Sequence, residues 1–233
     1  MSLRNRVLLS SLLTLLIAAP VCVAAPADKD GRAGSWKKGT QGAPDLKAAQ
    51  ARVDKNPKDA EALNDLGFAL RQNGKNKEAE KYLKQAIEAN PKMGEAHANL
   101  SVNYYDQKMY KEALAEAQEA VKTNADNAIF RVVLGNALSK TGDLKAAAQE
   151  YKVAVHLKPD YENAHYNLGR VQNEAGDLND AKMSLVKALE LDPNDDRVLQ
   201  LLDKLEKGDT TTPKDVPAAA NKEAGGKKTA GGK

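Results

Sequence analysis

The residues able to do chemistry are few, and their spacing keeps them apart. The 233-residue chain has three histidines, His97, His156 and His165, and a single cysteine, Cys22. No glycine-rich phosphate loop and no Ser-x-Gly elbow accompanies them. The run LDPNDD brings Asp192, Asp195 and Asp196 together, but it lacks the glycine and closing glutamate of a calcium loop. It reads instead as a helix-capping turn, because an aspartate before a helix accepts the first free amides. His156 falls near the end of a helical stretch, where a partial positive charge complements the helix dipole. No catalytic residue, no metal ligand and no cofactor is expected, and the chain reads as not an enzyme.

Cys22 sits inside an N-terminal stretch of its own character. Arg4 and Arg6 precede the uncharged run VLLSSLLTLLIAA, and small residues follow Pro20. That is the pattern of a secretory signal peptide, which predicts a periplasmic or secreted bacterial protein. Cleavage after Ala24 or after Ala27 satisfies the small-x-small rule. Residues 7–25 carry no charge, so retention as an inner-membrane anchor is the alternative. A lipoprotein signal acylated at Cys22 is a poorer match, because Ala19, Pro20 and Val21 precede the cysteine. Cleavage beyond Cys22 leaves a mature chain without thiols, which excludes disulfides and zinc–thiolate sites.

The net charge of +3 conceals a gradient. Residues 26–43 hold four basic and two acidic side chains, and 208–233 hold five and three. The stretch between them, 44–207, holds 24 basic and 27 acidic residues. Nothing there builds the concentrated positive surface of a nucleic-acid binder, so no nucleic acid is expected as a partner. Aromatic residues make up only 4%, and a core of Leu, Ala and Val suits closely packed helices.

The elements that must position any site come from a repeat. Leu66, Leu100, Leu134 and Leu168 recur every 34 residues, each followed by a small residue: Gly67, Ser101, Gly135 and Gly169. Ala79, Ala113, Ala147 and Ala181 keep the same interval, as do Ala86, Ala120, Ala154 and Ala188. Pro57, Pro91, Pro159 and Pro193 share a phase, and Gly74, Gly142 and Gly176 share another, in which Lys108 stands in the second repeat. Helical spacing of the apolar residues makes each unit a pair of antiparallel helices. Gly142-Asp143 and Gly176-Asp177 are a helix stop and a helix start, with glycine left-handed and aspartate capping. Glycine inside a helix costs about 1 kcal/mol against alanine. Gly169 and Ala181 are therefore expected where the two helices of one hairpin cross, so that close packing outweighs the penalty.

The pattern resembles the tetratricopeptide repeat, over units 60–93, 94–127, 128–161 and 162–195. The departures fall at the aromatic places, where His97, Arg131 and His165, and later Gln172, stand. The resemblance implies an all-α fold, a right-handed superhelical solenoid of four helix hairpins. Residues 44–57 are in phase with a second helix and form an N-terminal half-repeat. Residues 196–207 form a C-terminal capping helix, with Leu201 or Leu202 over the last hairpin. The linker 26–43 and the tail 209–233, rich in Gly, Ala and Lys, are expected to be disordered.

In this family the first helix of each pair lines a concave groove that holds a peptide or partner segment. Carried over by position, the groove residues are Asn64, Phe68 and Arg71, then Asn99, Val102 and Tyr105. The third repeat supplies Ile129, Val132 and Asn136, and the fourth Tyr166, Asn167 and Arg170. Phe68, Val102, Tyr105, Ile129, Val132 and Tyr166 suggest an apolar strip, free of hairpin packing, that would anchor a ligand. Asn99 and Asn167 are placed to bond a ligand's main chain, although Asp65 and Val133 interrupt any continuous ladder. The carboxylate-clamp subtype is excluded, because Asn64, Phe68, Ile129 and Val133 occupy its places. The leading expectation is an exported scaffold or adaptor for a protein or peptide partner of unknown identity. The alternatives are polyanion or envelope-polymer binding through Lys222, Lys227, Lys228 and Lys233, and a structural role in which the stack oligomerises through its ends. Membrane contact is expected only if the N-terminal segment stays uncleaved.

Overall fold

A computed structural model of the chain describes residues 45–208. The expected signal segment, linker and tail lie outside the described residues. Among the described residues there are ten α-helices and no strand. A lone helix α1 (Leu46–Lys55) precedes four hairpins. These are α2 (Ala60–Gln72) with α3 (Asn76–Ala89), and α4 (Gly94–Asp106) with α5 (Tyr110–Thr123). They continue as α6 (Ala128–Thr141) with α7 (Leu144–Leu157), and α8 (Glu162–Ala175) with α9 (Leu178–Leu191). Helix α10 (Asp196–Glu206) closes the stack. Each helix packs on the next, and the first helices α2, α4, α6 and α8 also touch in succession. The result is an all-α superhelical solenoid.

Local chemistry sets where the helices begin and end. Asp59 accepts from the amides of Glu61 and Ala62 at 3.0 and 3.3 Å, and Asn127 from those of Ile129 and Phe130 at 3.0 and 3.3 Å. Each thereby satisfies donors that the first turn cannot. Gly142 and Gly176 take the left-handed conformation, φ 94° and 88°, and end α6 and α8. Asp143 then caps α7, accepting from Ala146 N at 2.9 Å. The matching expectation at Asp177 is not met, since its side chain makes no capping bond to α9. In the second repeat Lys108 holds the turn with φ 62°, so a side chain stands where the others use glycine.

Small residues decide the hairpin spacing. Ala79, Ala113, Ala147 and Ala181 are all fully buried, as are Ala86, Ala120, Ala154 and Ala188. A β-carbon placed on Gly169 would lie 2.6 Å from Leu185 Cγ and 3.0 Å from the Ala181 carbonyl. The close approach to Ala181 is thus real, but Leu185 is the nearer obstacle. Gly67 stands in the same relation to Leu83, and Gly135 to the Tyr151 ring, each at 2.6 Å. A missing side chain on the first helix makes room for a large one on the second. Burying such a leucine stabilises the fold by about 1.5–3 kcal/mol, more than the helix propensity lost. The second repeat reverses the sizes: Ala117 replaces the large residue, and Ser101 fills the gap by donating to the Ala113 carbonyl at 2.7 Å.

The polar departures from the family pattern fasten one hairpin to the loop before it. His97 Nε2 faces the Pro91 carbonyl at 3.0 Å, and His165 Nε2 faces the Pro159 carbonyl at 3.0 Å. Arg131, in the same phase, donates from Nε to the Ala125 carbonyl at 2.8 Å. Two of these clasps also reach an acid on the following helix. His97 Nδ1 meets Glu116 at 2.7 Å, and Arg131 Nη1 donates to Glu150 at 2.9 Å. Gln172, polar at a buried place, is satisfied by the Ser184 hydroxyl at 2.7 Å. At the end of the stack Val198 and Leu202 of α10 bury against Leu185 and Leu189, while Leu201 is only half-buried.

Candidate peptide-binding groove

The first helices lie side by side with their outer positions turned to one face. That face is the floor of the candidate groove, and its residues divide into those that join neighbouring helices and those left accessible. Asn99 Nδ2 on α4 donates to Asn64 Oδ1 on α2 at 2.8 Å, in the interior of the protein. Arg71 on α2 reaches Asp106 on α4 at 3.2 Å, and its guanidinium lies 5.3 Å from the Phe68 ring centroid. Arg52 of α1 pairs with Asp65 of α2 in the same manner, so α1 is joined to the floor as well. Asn167 is turned back on its own helix, donating to the Asn163 carbonyl at 2.8 Å. Both asparagines expected to meet a ligand's main chain are therefore engaged within the protein.

The apolar strip differs from the sequence expectation in its exposure. Phe68, Val102 and Val132 are only 5%, 7% and 1% exposed, so these three do not stand out as anchors. The cause is packing between repeats: with first helices in direct contact, a residue turned away from its own hairpin meets the neighbouring one. Arg71 is buried for the same reason, its charge answered by Asp106. What remains half-buried is Tyr105, Ile129, Asn136, Tyr166 and Arg170, while Glu61, Glu95 and Lys140 are exposed around them.

Tyr105, Asn136 and Arg170 are held by neighbouring side chains. Tyr105 meets the Tyr110 ring edge-on, with centroids 5.6 Å apart. Asn136 Oδ1 accepts from the hydroxyl of fully buried Tyr151 at 2.7 Å. Arg170 donates to Glu174 at 2.5 Å and to the Ser139 hydroxyl at 3.5 Å. Burial raises the Tyr105 and Tyr166 phenols above the ordinary tyrosine range, with Arg170 acting against it at both. Both therefore remain protonated at neutral pH, as hydrogen-bond donors with an apolar ring. A phenol, a guanidinium and a carboxamide on rigid helices can grip a polypeptide's side chains and carbonyls.

One residue beside the candidate groove escaped the sequence reading. Arg197 of α10 lies over the Tyr166 ring at 4.7 Å and donates to Asn163 Oδ1 at 3.3 Å and Asp195 Oδ2 at 2.6 Å. The signal was present, since Arg197 follows Asn163 by one repeat interval. Helix α10 thus covers the last hairpin and also places a side chain over the candidate groove residue Tyr166.

Family comparison agrees with this architecture. Models described as tetratricopeptide repeat match residues 38–94, 70–133 and 162–195, and one described as TPR repeat matches 135–176. The chain belongs to the tetratricopeptide-repeat family. No curated protein matches it. Among solved structures it is similar to TTC0263, a thermophilic TPR protein of Thermus thermophilus, with TM-score 0.59 and 24% identity over 70% of this chain and 87% of that one. It is similar also to YrrB, described as a TPR protein with an unusual peptide-binding site, with TM-score 0.56 and 22% identity over 70% and 93%. MamA from Desulfovibrio magneticus RS-1 gives TM-score 0.56 and 23% identity over 65% and 85%. At these identities the likeness establishes the fold.

Proposed function

We propose that the chain is an exported, non-catalytic scaffold that holds an extended segment of a partner protein along the concave face of α2, α4, α6 and α8. The observation that carries this reading is the set of half-buried side chains on that face. Tyr105, Ile129, Asn136, Tyr166 and Arg170 come from three successive first helices, each with surface left over, and all but Ile129 are fixed by a side-chain neighbour. Rigid aromatic and guanidinium groups lose little conformational freedom on binding, which favours them as anchors. The likeness to YrrB, itself described as having a peptide-binding site, supports the same use of the fold. Export is supported by the N-terminal pattern of Arg4, Arg6 and the uncharged run that follows, and an exported chain meets its partner in the periplasm or outside the cell.

The test is capture of envelope proteins on the immobilised chain, with Tyr105→Ala and Ile129→Ala introduced together. Captured protein should fall at least tenfold while the helical circular dichroism signal is unchanged. Capture at the parental level with both anchors removed would take the concave face out of the function. Cell fractionation checks the location separately, with an inner-membrane fraction indicating that residues 7–25 are kept as an anchor.

A further inference from the structure

The charges of the concave face are sorted by end. At groove positions of α2 and α4 the exposed charged residues are Glu61 and Glu95. Toward the other end Lys140 of α6 and Lys204 of α10 are exposed, and Lys204 follows Arg170 by one repeat interval. Arg170 and Arg197 stand beside them, balanced in part by Glu174 and Asp195. One end of the groove is therefore acidic and the other basic.

Helix α10 ends at Glu206, at the basic end, and residues 209–233 follow Gly208. The charges of that segment are sorted as well. Its first half, 209–220, holds Asp209, Lys214 and Asp215. Its second half, 221–233, holds Lys222, Lys227, Lys228 and Lys233 against Glu223 alone. A strand running back from α10 toward α2 would present acids beside the basic end and lysines beside the acidic end. The length suffices: at roughly 3.4 Å per residue, Lys222 to Lys233 reach about 50–85 Å along the contour from Gly208. The stack from α10 back to α2 covers roughly 40 Å at about 10 Å per repeat.

We propose that the C-terminal tail, residues 209–233, folds back along the concave face from α10 toward α2, its lysines over Glu61 and Glu95, and competes there with the partner segment. This rests on the reading of the concave face as the binding groove and adds its regulation. Exposed ion pairs are individually weak and are screened by salt. Covalent attachment to α10 supplies a local concentration on the order of millimolar, so weak pairs fill the groove in part and still yield to a partner.

A nitroxide on Gly231→Cys tests this in the full chain, with Cys22→Ser leaving one thiol. At low salt the label should broaden the amide resonances around Glu61 and Glu95 and spare the outer faces of α5 and α7. Broadening should disappear in Glu61→Gln/Glu95→Gln, at high salt, and when Lys227→Glu/Lys228→Glu is introduced in the tail. Broadening confined to residues beside the label would overturn the proposal. So would broadening seen only when labelled and unlabelled copies are mixed, which would assign the tail to a second copy. Partner capture separates this from the groove reading. Loss of capture in the Tyr105→Ala/Ile129→Ala protein with no broadening anywhere sinks the tail alone. Capture unaffected by those substitutions sinks the groove itself.

Discussion

A β-carbon on Gly135 would lie 2.6 Å from Cε1 of Tyr151, a ring that is completely buried. The tyrosine crosses from α7 to the first helix of its own hairpin and donates its hydroxyl to Asn136 at 2.7 Å. Gly135 therefore sets how closely α6 and α7 approach and where the candidate groove residue Asn136 stands. Gly135→Ala should destabilise the protein by about 1–3 kcal/mol through overpacking. Tyr151→Ala alone should cost about 3–5 kcal/mol by leaving a cavity. The double variant should lose less than the sum, because alanine at 135 then has room, and urea denaturation of the four proteins measures that coupling.

Lys108 holds the α4–α5 turn at φ 62°, where the other hairpins place Gly74, Gly142 and Gly176. A β-carbon in the left-handed region is strained by roughly 1–2 kcal/mol, and glycine is free of that strain. Glycine also gains more freedom in the unfolded chain, which offsets part of the benefit. Lys108→Gly should raise stability by about 0.5–1 kcal/mol, seen as a higher urea midpoint with an unchanged slope. An unchanged or lower midpoint would show that the strain is relieved elsewhere.

Those turns and the Gly–large-residue crossings explain why the fold was legible in the sequence. Leu66 to Leu168 and Ala79 to Ala181 repeat at single-residue precision, and every one of them is buried. The groove was less legible, because exposure there depends on the neighbouring repeat. Val132 and Ile129 are three residues apart on one helix, yet one is buried and the other half-exposed. The polar clasps were hidden for a related reason. His97 finds Glu116 nineteen residues away, across a hairpin turn, and no motif joins the two. Asp177 fails as a cap although Asp143 succeeds in the same phase, and nothing in the structure explains the difference.

His97 ties α4 both to α5 and to the preceding loop, one ring nitrogen meeting Glu116 at 2.7 Å and the other the Pro91 carbonyl at 3.0 Å. The doubly protonated ring donates to both. The Glu116 hydrogen bond, aided by the Pro91 carbonyl and opposed by burial, raises the His97 pKa above its ordinary value. A histidine whose pKa is higher in the folded state stabilises the fold fully below its unfolded pKa. That contribution is lost as pH rises through the folded value. Protection of α4 and α5 amides against hydrogen exchange, corrected for intrinsic rate, should therefore decline from about pH 6 upward. Glu116→Gln should flatten the decline, and an equally steep profile in that variant would assign the titration to another group.

Glu162, the first residue of α8, stands at the joint between α8 and α10. It stands 3.5 Å from Arg197 Nη2, beside Asp195, the N-cap of α10. Burial, and then a hydrogen bond given to Asp195, push its carboxyl up to about 8, with Arg197 acting in the other direction. The folded protein thus keeps a proton there that the unfolded chain has released. Stability from this group is complete below the unfolded carboxylate range near pH 4.3 and is lost as pH rises toward about 8. Ionised, Glu162 would oppose Asp195 at the joint between α8 and α10. The expected outcome is that α10 amides exchange faster at about pH 8.5 than at about pH 5.5, after correction for intrinsic rate, while α2 and α3 change less. Glu162→Gln keeps a donor for Asp195 without the charge, and it should remove the difference. Arg197→Ala should do the reverse, freeing the Tyr166 ring and weakening α10 at both pH values. If α10 protection in the glutamine variant still fell with pH as in the parent, the joint would not depend on this proton.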